Sequence, residues 1–225
     1  LCAHFVGELA LDGSLRPVSG ILPIAIHTAS CGNKELFVPM QNAKEAALIP
    51  GITIYAAKTL RDILDHINGV HTMPPYQKTD SSIEKLQQDT QYDFSHVCGQ
   101  EFSKRALEIA AAGAHNILLS GSPGSGKTLL SRSMPSILPS MREAESIEVT
   151  NIYSVAGALL PDSPLITNRP FRAPHHSASI AALVGGGAIP RPGEISLAHR
   201  GVLFLDEFLE FPRMVLESLR QPMED

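Results

Sequence analysis

Residues 121–128 read Gly121-Ser122-Pro123-Gly124-Ser125-Gly126-Lys127-Thr128 and fit the phosphate-loop pattern G-x-x-x-x-G-K-[ST] at every position. An apolar run, 116–120, precedes the loop and a helical run, 129–134, follows it, which is the strand, loop and helix order that the pattern requires. The glycines allow consecutive backbone N–H groups to converge on phosphate oxygens at the start of the helix. All eight residues are therefore predicted to bind a nucleotide, with Lys127 reaching the β and γ phosphates and Thr128 offering its hydroxyl to Mg²⁺.

A second apolar run ends in two carboxylates. Residues 202–205 read Val-Leu-Phe-Leu and are followed by Asp206 and Glu207. Four such residues are typical of a parallel strand, and acids at the carboxyl end of such a strand face the ligand crevice. Asp206 is predicted to hold Mg²⁺, commonly through water, and Glu207 to act as the general base that orients the attacking water. Lys127 and Glu207 are thus the candidate catalytic residues, with ATP and Mg²⁺ as the cofactors.

Composition sets limits on the class of protein. The chain has 225 residues, 44% of them hydrophobic, and 18 Lys plus Arg against 23 Asp plus Glu give a net charge of −5. A disordered chain and a globally basic nucleic-acid coat are excluded. Cys2, Cys31 and Cys98 have neither disulfide-framework nor zinc spacing. With no apolar run of about 20 residues and no signal peptide, a cytoplasmic protein without a membrane segment is expected. Because Leu1 stands where Met would begin a protein, we expect a fragment.

The hydrophobic pattern predicts an α/β chain in two parts. Residues 71–92 are polar and contain a Pro-Pro pair, which predicts a linker between a domain at 1–70 and another at 93–225. In the second domain a helix at 100–113 and a strand at 116–120 are expected. The elements predicted for the first domain are a hairpin over 8–18 that turns at Asp12-Gly13, helices at 21–32, 42–49 and 60–67, and strands at 35–39 and 52–57.

The window from 161 to 200 has its own charge balance. Four arginines stand against two acidic residues, which gives +2 in a chain of −5. The arginines are Arg169, Arg172, Arg191 and Arg200. The window could touch a polyanion such as DNA, with Arg172 and Arg191 as the candidate contacts, or it could be a surface loop whose arginines pair with acids. His175-His176 is a weak metal candidate, because spacing suggests no third ligand.

Three further stretches carry a family resemblance. Residues 93–100, D-F-S-H-V-C-G-Q, are similar to the D-F-x-x-V-x-G-Q box that opens AAA+ ATPase modules near the adenine, which makes Val97 a candidate nucleotide contact. Residues 169–179, R-P-F-R-A-P-H-H-S-A-S, and 192–207, P-G-E-I-S-L-A-H-R-G-V-L-F-L-D-E, resemble the magnesium-chelatase-like AAA+ proteins of the bacterial ComM/YifB group. The match spans essentially the whole chain. It implies a hexameric ATPase with a hairpin inserted in the second helix of the module. It also implies, for ComM members, a helicase that promotes branch migration in natural transformation. Single-stranded or branched DNA would be its partner.

The first domain resembles the N-terminal domain of that group. Residues 8–20, E-L-A-L-D-G-S-L-R-P-V-S-G, and 38–46, V-P-M-Q-N-A-K-E-A, carry the likeness to the ribosomal-S5-like fold shared with the Lon protease domain. The lysine of Lon's P-I-G-G-x-K stretch would fall on Leu22, and leucine cannot activate a serine nucleophile. The resemblance instead implies a role in ring assembly or nucleic-acid contact. The start of this domain is expected to be missing.

Two departures from the group are visible. Phe208-Leu209 follows the acidic pair where the group commonly has Leu-Pro. The sensor residues, arginine finger and helical lid would lie beyond Asp225, so we do not expect this chain alone to hydrolyse ATP. The leading hypothesis is a fragment of an ATP-driven hexameric DNA motor. The alternatives are the ATPase subunit of a metal chelatase, which inserts Mg²⁺ into a porphyrin, and a non-catalytic nucleotide-binding scaffold.

Overall fold

The chain forms two compact units that are discontinuous in sequence. The computed structural model describes residues 3–32, 34–77, 92–160 and 163–220. The first unit comprises 1–82 with 150–166, and the second comprises 83–149 with 167–225. Segment 150–166 thus groups with the N-terminal residues, although its place in the sequence lies within the predicted second domain. Most of the predicted linker, 78–91, falls outside the described residues.

The first unit is an α/β structure built on a parallel sheet. Its N-terminal part contains, in chain order, β1 (Ala3–Phe5), β2 (Glu8–Leu9), β3 (Leu15–Arg16), α1 (Ile21–Ser30), β4 (Glu35–Pro39), α2 (Ala43–Ala46), β5 (Thr53–Ala57) and α3 (Leu60–Ile67). The sheet has the order β1-β4-β5, and all its pairs are parallel. Phe37 on the central strand stacks between Phe5 and Tyr55, with ring centroids 4.8 Å apart on each side. The central strand is almost entirely buried, as expected when a parallel sheet is covered on both faces.

Local sequence signals account for most of these elements. The predicted hairpin is confirmed, because β2 and β3 pair antiparallel and Gly13 in the turn has φ +83°. Helix α1 and the strands at 35–39 and 53–57 are confirmed as well. The helix predicted at 42–49 is wrong in extent: a 3₁₀ turn, Met40–Asn42, leads into the four-residue α2. Asn42 does not cap this helix, because its side chain bonds the backbone N–H and C=O of Val18 at 3.0 and 2.9 Å.

Helix α3 begins with a reciprocal capping box. Thr59 Oγ1 accepts from the Asp62 N–H at 3.2 Å, and Asp62 Oδ2 accepts from the N–H groups of Thr59 and Lys58 at 2.9 and 3.1 Å. These hydrogen bonds, that of the Thr59 amide first, hold the pKa of Asp62 below its ordinary value. Its charged form therefore stabilises the fold above the ordinary pKa of about 3.9, and that contribution is lost as the pH falls through the lowered pKa.

We expect Thr59→Ala to lower the free energy of unfolding by about 1 kcal/mol at neutral pH, because an orphan N–H at the start of α3 loses its acceptor. Chemical denaturation followed by circular dichroism measures the change. Thr72→Ala is the matched control, since Thr72 is exposed and lies outside any helix. Its effect should stay within about 0.5 kcal/mol. Equal losses in the two variants would contradict the assigned cap.

The second unit is also a mixed α/β structure. In chain order its elements are α4 (Glu101–Gly113), α5 (Lys127–Ser133), α6 (Glu143–Ala156), β6 (Phe171–Arg172), α7 (Ile180–Val184), β7 (Gly185–Gly186), β8 (Arg191–Pro192), α8 (Glu194–Leu197), β9 (Val202–Leu203) and α9 (Arg213–Ser218). Helix α6 continues into segment 150–166. Strands β6 and β9 pair in parallel, while β7 and β8 form an antiparallel hairpin between the short helices α7 and α8. The family resemblance implied a hairpin inserted in the second helix of the module, and the correspondence with β7–β8 stays a prediction. A buried apolar cluster of this unit is formed by Leu183, Phe211, Val215 and Leu219.

Two strand predictions in this unit need correction. Residues 116–120 have no regular secondary structure and pair with no strand of the described chain, and Leu118 is 80% exposed. An apolar run becomes a strand only where a neighbour supplies its hydrogen bonds, and the run alone could not show that neighbour. The acidic strand is shorter than predicted: β9 covers only Val202–Leu203 and is half-buried. No helix among the described residues has the length and apolar character needed to cross a membrane.

Candidate nucleotide and magnesium site

Two glycines of the phosphate loop have a left-handed backbone conformation. Gly124 and Gly126 have φ values of +77° and +83°, which are costly for residues with a Cβ. A Cβ on Gly126 would also lie 2.8 Å from Gln100 Nε2, which itself donates to the Ser125 carbonyl at 2.6 Å. The loop is thus held against the residue that precedes α4. It leads directly into α5, whose first residue is Lys127.

The ammonium group of Lys127 lies over the loop. Its Nζ donates to the carbonyl oxygens of Gly121 and Ser122 at 2.8 and 2.9 Å and lies 3.5 Å from Ser125 Oγ. The side chain therefore folds back across the phosphate-loop residues instead of extending along α5. A phosphate oxygen at the mouth of the loop could exchange for these carbonyls, and a charged acceptor gives the stronger hydrogen bond.

Thr128 and Asp206 meet although 78 positions separate them. Thr128 Oγ1 donates to Asp206 Oδ2 at 3.4 Å. The other carboxylate oxygen, Oδ1, accepts from the Glu207 N–H at 3.0 Å. A hydroxyl and a carboxylate beside a phosphate loop provide the oxygen ligands that Mg²⁺ prefers. These residues fit ATP with Mg²⁺, in which Mg²⁺ would neutralise charge on the β and γ phosphates.

Glu207 has an unusual backbone and one side-chain neighbour. Its φ is +52°, in the left-handed region that non-glycine residues seldom adopt. Its Oε2 lies 3.3 Å from His176 Nδ1. We singled out His176 from the sequence only as half of a weak metal pair. The signal that was missed is its place just beyond β6, the strand that pairs with β9.

Val97 is part of the apolar core of the second unit. Its side chain is buried and packs with Leu107, Ala110 and Leu130 of α4 and α5. The structure therefore places it beneath the helix that begins at the phosphate loop. A contact between Val97 and the adenine remains a prediction.

Ion pairs engage three of the four arginines in the basic window. Arg172 makes a bidentate pair with Glu194, at 2.6 and 2.7 Å, and is half-buried. Arg169 pairs with Glu145, while Arg200 pairs with Glu145 and Glu148. The Arg142 amide, with charge from the nearby arginines, holds the pKa of Glu145 below its ordinary value.

The fourth arginine of the window, Arg191, is exposed on β8. No carboxylate of the described chain lies within salt-bridge distance of it. The two predicted DNA contacts, Arg172 and Arg191, therefore differ in whether an acid pairs with their charge. The charge of Arg172 is compensated within the unit, whereas that of Arg191 faces solvent.

Comparison with known proteins shows which family the chain is similar to. The family model described as magnesium chelatase, subunit ChlI, matches residues 93–225, and a second model, subunit ChlI of Mg-chelatase, matches 2–42. Competence protein ComM of Haemophilus influenzae is 48% identical over 223 residues, which cover 98% of this chain and 43% of ComM. The uncharacterised protein YifB of Escherichia coli is 46% identical over 221 residues, which cover 98% of this chain and 42% of YifB. Lon protease 2 of Bacillus subtilis is 36% identical over 63 residues, covering 27% of this chain and 11% of Lon.

The chain therefore belongs to the magnesium-chelatase-like family defined by subunit ChlI. Within that family, the matches over 98% of this chain place it with the ComM/YifB proteins. It spans less than half the length of these relatives.

Proposed function

We propose that this chain is part of an ATP-hydrolysing AAA+ motor that assembles as a hexamer and acts on single-stranded or branched DNA. The observation that carries the proposal is the 3.4 Å contact between Thr128 and Asp206 beside the phosphate loop, with Glu207 next in sequence. Two distant segments thus supply a phosphate cradle, metal ligands and a general base at one place. The DNA part of the proposal rests on relatedness to ComM, which is named a competence protein.

Each residue at this place has a role in the proposed reaction. The loop amides and Lys127 bind the β and γ phosphates and hold the terminal phosphoryl group for attack. Thr128 and Asp206 would hold Mg²⁺, which neutralises the charge that develops on the phosphate oxygens. Glu207 accepts the proton of the attacking water. An arginine supplied by a neighbouring subunit would complete the charge stabilisation, which is why we assign hydrolysis to the assembled full-length protein.

The proposed role of the first unit is ring assembly or nucleic-acid contact. Leu22, at the position where the resemblance places the Lon lysine, is fully buried in the apolar core of this unit, which supports a role other than proteolysis. An apolar side chain there can neither accept a proton from a serine nor lower its pKa. We propose no peptidase activity.

The test of the motor uses the full-length protein. Its ATP turnover is measured alone and with single-stranded, branched or duplex DNA, and its assembly with Mg²⁺ and ATP is followed by analytical ultracentrifugation. A hexamer whose turnover rises with single-stranded or branched DNA supports the proposal. A protein that neither binds DNA nor responds to it would overturn the motor.

A metal chelatase subunit is the second candidate, since the matching family model bears that name. Magnesium insertion into a porphyrin with chelatase partner subunits would favour that candidate.

We expect Arg191→Ala in the full-length protein to weaken binding to DNA of any sequence and to reduce the salt dependence of affinity by about one phosphate contact. The physical reason is that Arg191 is exposed on the hairpin and forms no ion pair with any acid in the described ranges. Fluorescence anisotropy over a salt series measures both quantities. Arg105→Ala is the matched control, because Arg105 is an exposed arginine on α4 that pairs with Glu108. Identical salt slopes for wild type and Arg191→Ala would exclude this contact.

A further inference from the structure

His176 and Glu207 lie at equivalent distances beyond the ends of two paired strands. Strands β6 and β9 are parallel, with Arg172 opposite Leu203. His176 lies four residues beyond Arg172, and Glu207 lies four residues beyond Leu203. The carboxyl ends of parallel strands open onto the same edge of a sheet, which in α/β proteins is the edge where ligands bind. The topology therefore brings this histidine to the side of the proposed general base.

The contact between the two side chains is close enough for a hydrogen bond. His176 Nδ1 lies 3.3 Å from Glu207 Oε2. In such a bond Nδ1–H would be the donor, because an ionised carboxylate has only acceptor sites. The second oxygen of Glu207 would then be left to accept a proton. Glu207 itself is 66% exposed along its side chain, compared with 32% for His176, so the histidine is the better anchored partner.

The surroundings of His176 explain this anchoring. Its ring lies against His175, with centroids 4.0 Å apart, and meets the buried Phe211 edge-on at 6.5 Å. His175 is fixed in turn, because its Nδ1 accepts from the Ser177 N–H at 3.2 Å and its carbonyl accepts from the Ala178 N–H at 2.9 Å. The loop that carries the two histidines is thus braced by its own hydrogen bonds. It presents one imidazole to the acidic pair.

We propose that His176 is a positioning residue for ATP hydrolysis, which donates a hydrogen bond to one oxygen of Glu207 and so orients the other toward the attacking water. The inference rests on the proposed function, because it assigns His176 a role in that same reaction. It also gives a use to the His175-His176 pair other than metal binding. Among the described residues, no group of three His, Cys, Asp or Glu side chains could hold a metal ion.

The experiment compares ATP turnover and ATP affinity of the full-length protein in five variants. These are His176→Ala, His176→Asn, Glu207→Gln, the double variant His176→Ala/Glu207→Gln, and His199→Ala. The last is the matched control, because His199 lies 3.5 Å from Glu148 in another exposed His–Glu pair. Asparagine is the conservative substitution, because its side-chain amide can place a donor where Nδ1 lies.

We expect His176→Ala to lower kcat about tenfold, with KM and ATP affinity changed less than about twofold, because a misdirected base slows chemistry without weakening binding. His176→Asn should recover most of this loss, and His199→Ala should have wild-type kcat. In the double variant the rate should equal that of Glu207→Gln alone, because two residues that act as a unit give non-additive losses.

Three results would overturn the proposal. The first is a double variant that is slower than Glu207→Gln by the full His176→Ala factor. The second is a kcat for His176→Ala equal to that of wild type. The third is a failure of His176→Asn to exceed His176→Ala although both variants are folded and bind ATP. Failure of the proposed function would differ from failure of the His176 proposal. In that case the wild-type protein would show no ATP turnover that the Glu207→Gln substitution lowers.

Discussion

Replacing Lys127 with alanine is expected to weaken ATP binding by about 100-fold, because hydrogen bonds to charged groups contribute about 1.5–3 kcal/mol each. In the structure the Lys127 ammonium spans the loop carbonyls at the mouth of the phosphate loop, where the β and γ phosphates would lie. The substitution removes the cation that would neutralise the negative charge of these phosphates and leaves the loop backbone in place. Isothermal titration calorimetry with and without Mg²⁺ measures the change.

Lys104→Ala is the control for Lys127→Ala. Lys104 belongs to the same unit and pairs on α4 with Glu101, which is exposed. Its replacement should leave ATP affinity within about twofold of wild type, because an ion pair with an exposed carboxylate contributes little. Circular dichroism establishes that both variants are folded. If the two variants bound ATP equally well, the loop would not be the nucleotide site.

Replacing Glu207 with glutamine is expected to lower ATP turnover of the full-length protein by about 100-fold or more, the usual contribution of a general base. The amide is close in size to the carboxylate but cannot take the proton of the attacking water. ATP binding should survive, because neither the loop amides, Lys127, Thr128 nor Asp206 is altered. Steady-state turnover together with calorimetry separates the two effects.

Glu210→Gln is the matched control for Glu207→Gln. Glu210 is an exposed acid on the same short turn, Phe208–Glu210, and has no place in the proposed reaction. It should retain wild-type turnover. Full turnover in Glu207→Gln would contradict the role of Glu207 as the general base. Full biological function despite lost turnover would contradict the motor, and would favour a scaffold whose only response to ATP is assembly.

Much of the first unit could be predicted residue by residue. Asp12-Gly13 predicted a hairpin turn, and alternating or continuous apolar runs predicted β4, β5 and the helices α1 and α3. These signals are local, because turn conformation and helix capping depend on a few neighbouring residues. The cap predicted at Asn42 was wrong for a tertiary reason: the Asn42 side-chain amide bonds the backbone of Val18, which lies 24 residues earlier.

In the second unit, local sequence patterns did not predict which segments pair as strands or which arginines form ion pairs. The run at 116–120 has the composition of a buried strand, yet it pairs with no described strand. The sequence left open whether the arginines of the basic window contact DNA or pair with acids, and in the structure Arg172 makes a bidentate pair with Glu194. A charge count cannot reveal such pairing, because it depends on which acids the fold brings within reach.

The sequence by itself determined the phosphate loop, the acidic pair Asp206-Glu207 and the family, because these depend on the order of residues within short stretches. Only the tertiary structure decided that Thr128 reaches Asp206, that His176 reaches Glu207, and that Arg191 alone in its window has no described acidic partner. The physical reason is that each of these facts requires two segments of chain to meet. The parallel pairing of β6 with β9 brings two of these segments, one ending at His176 and one at Glu207, to the same edge of a sheet.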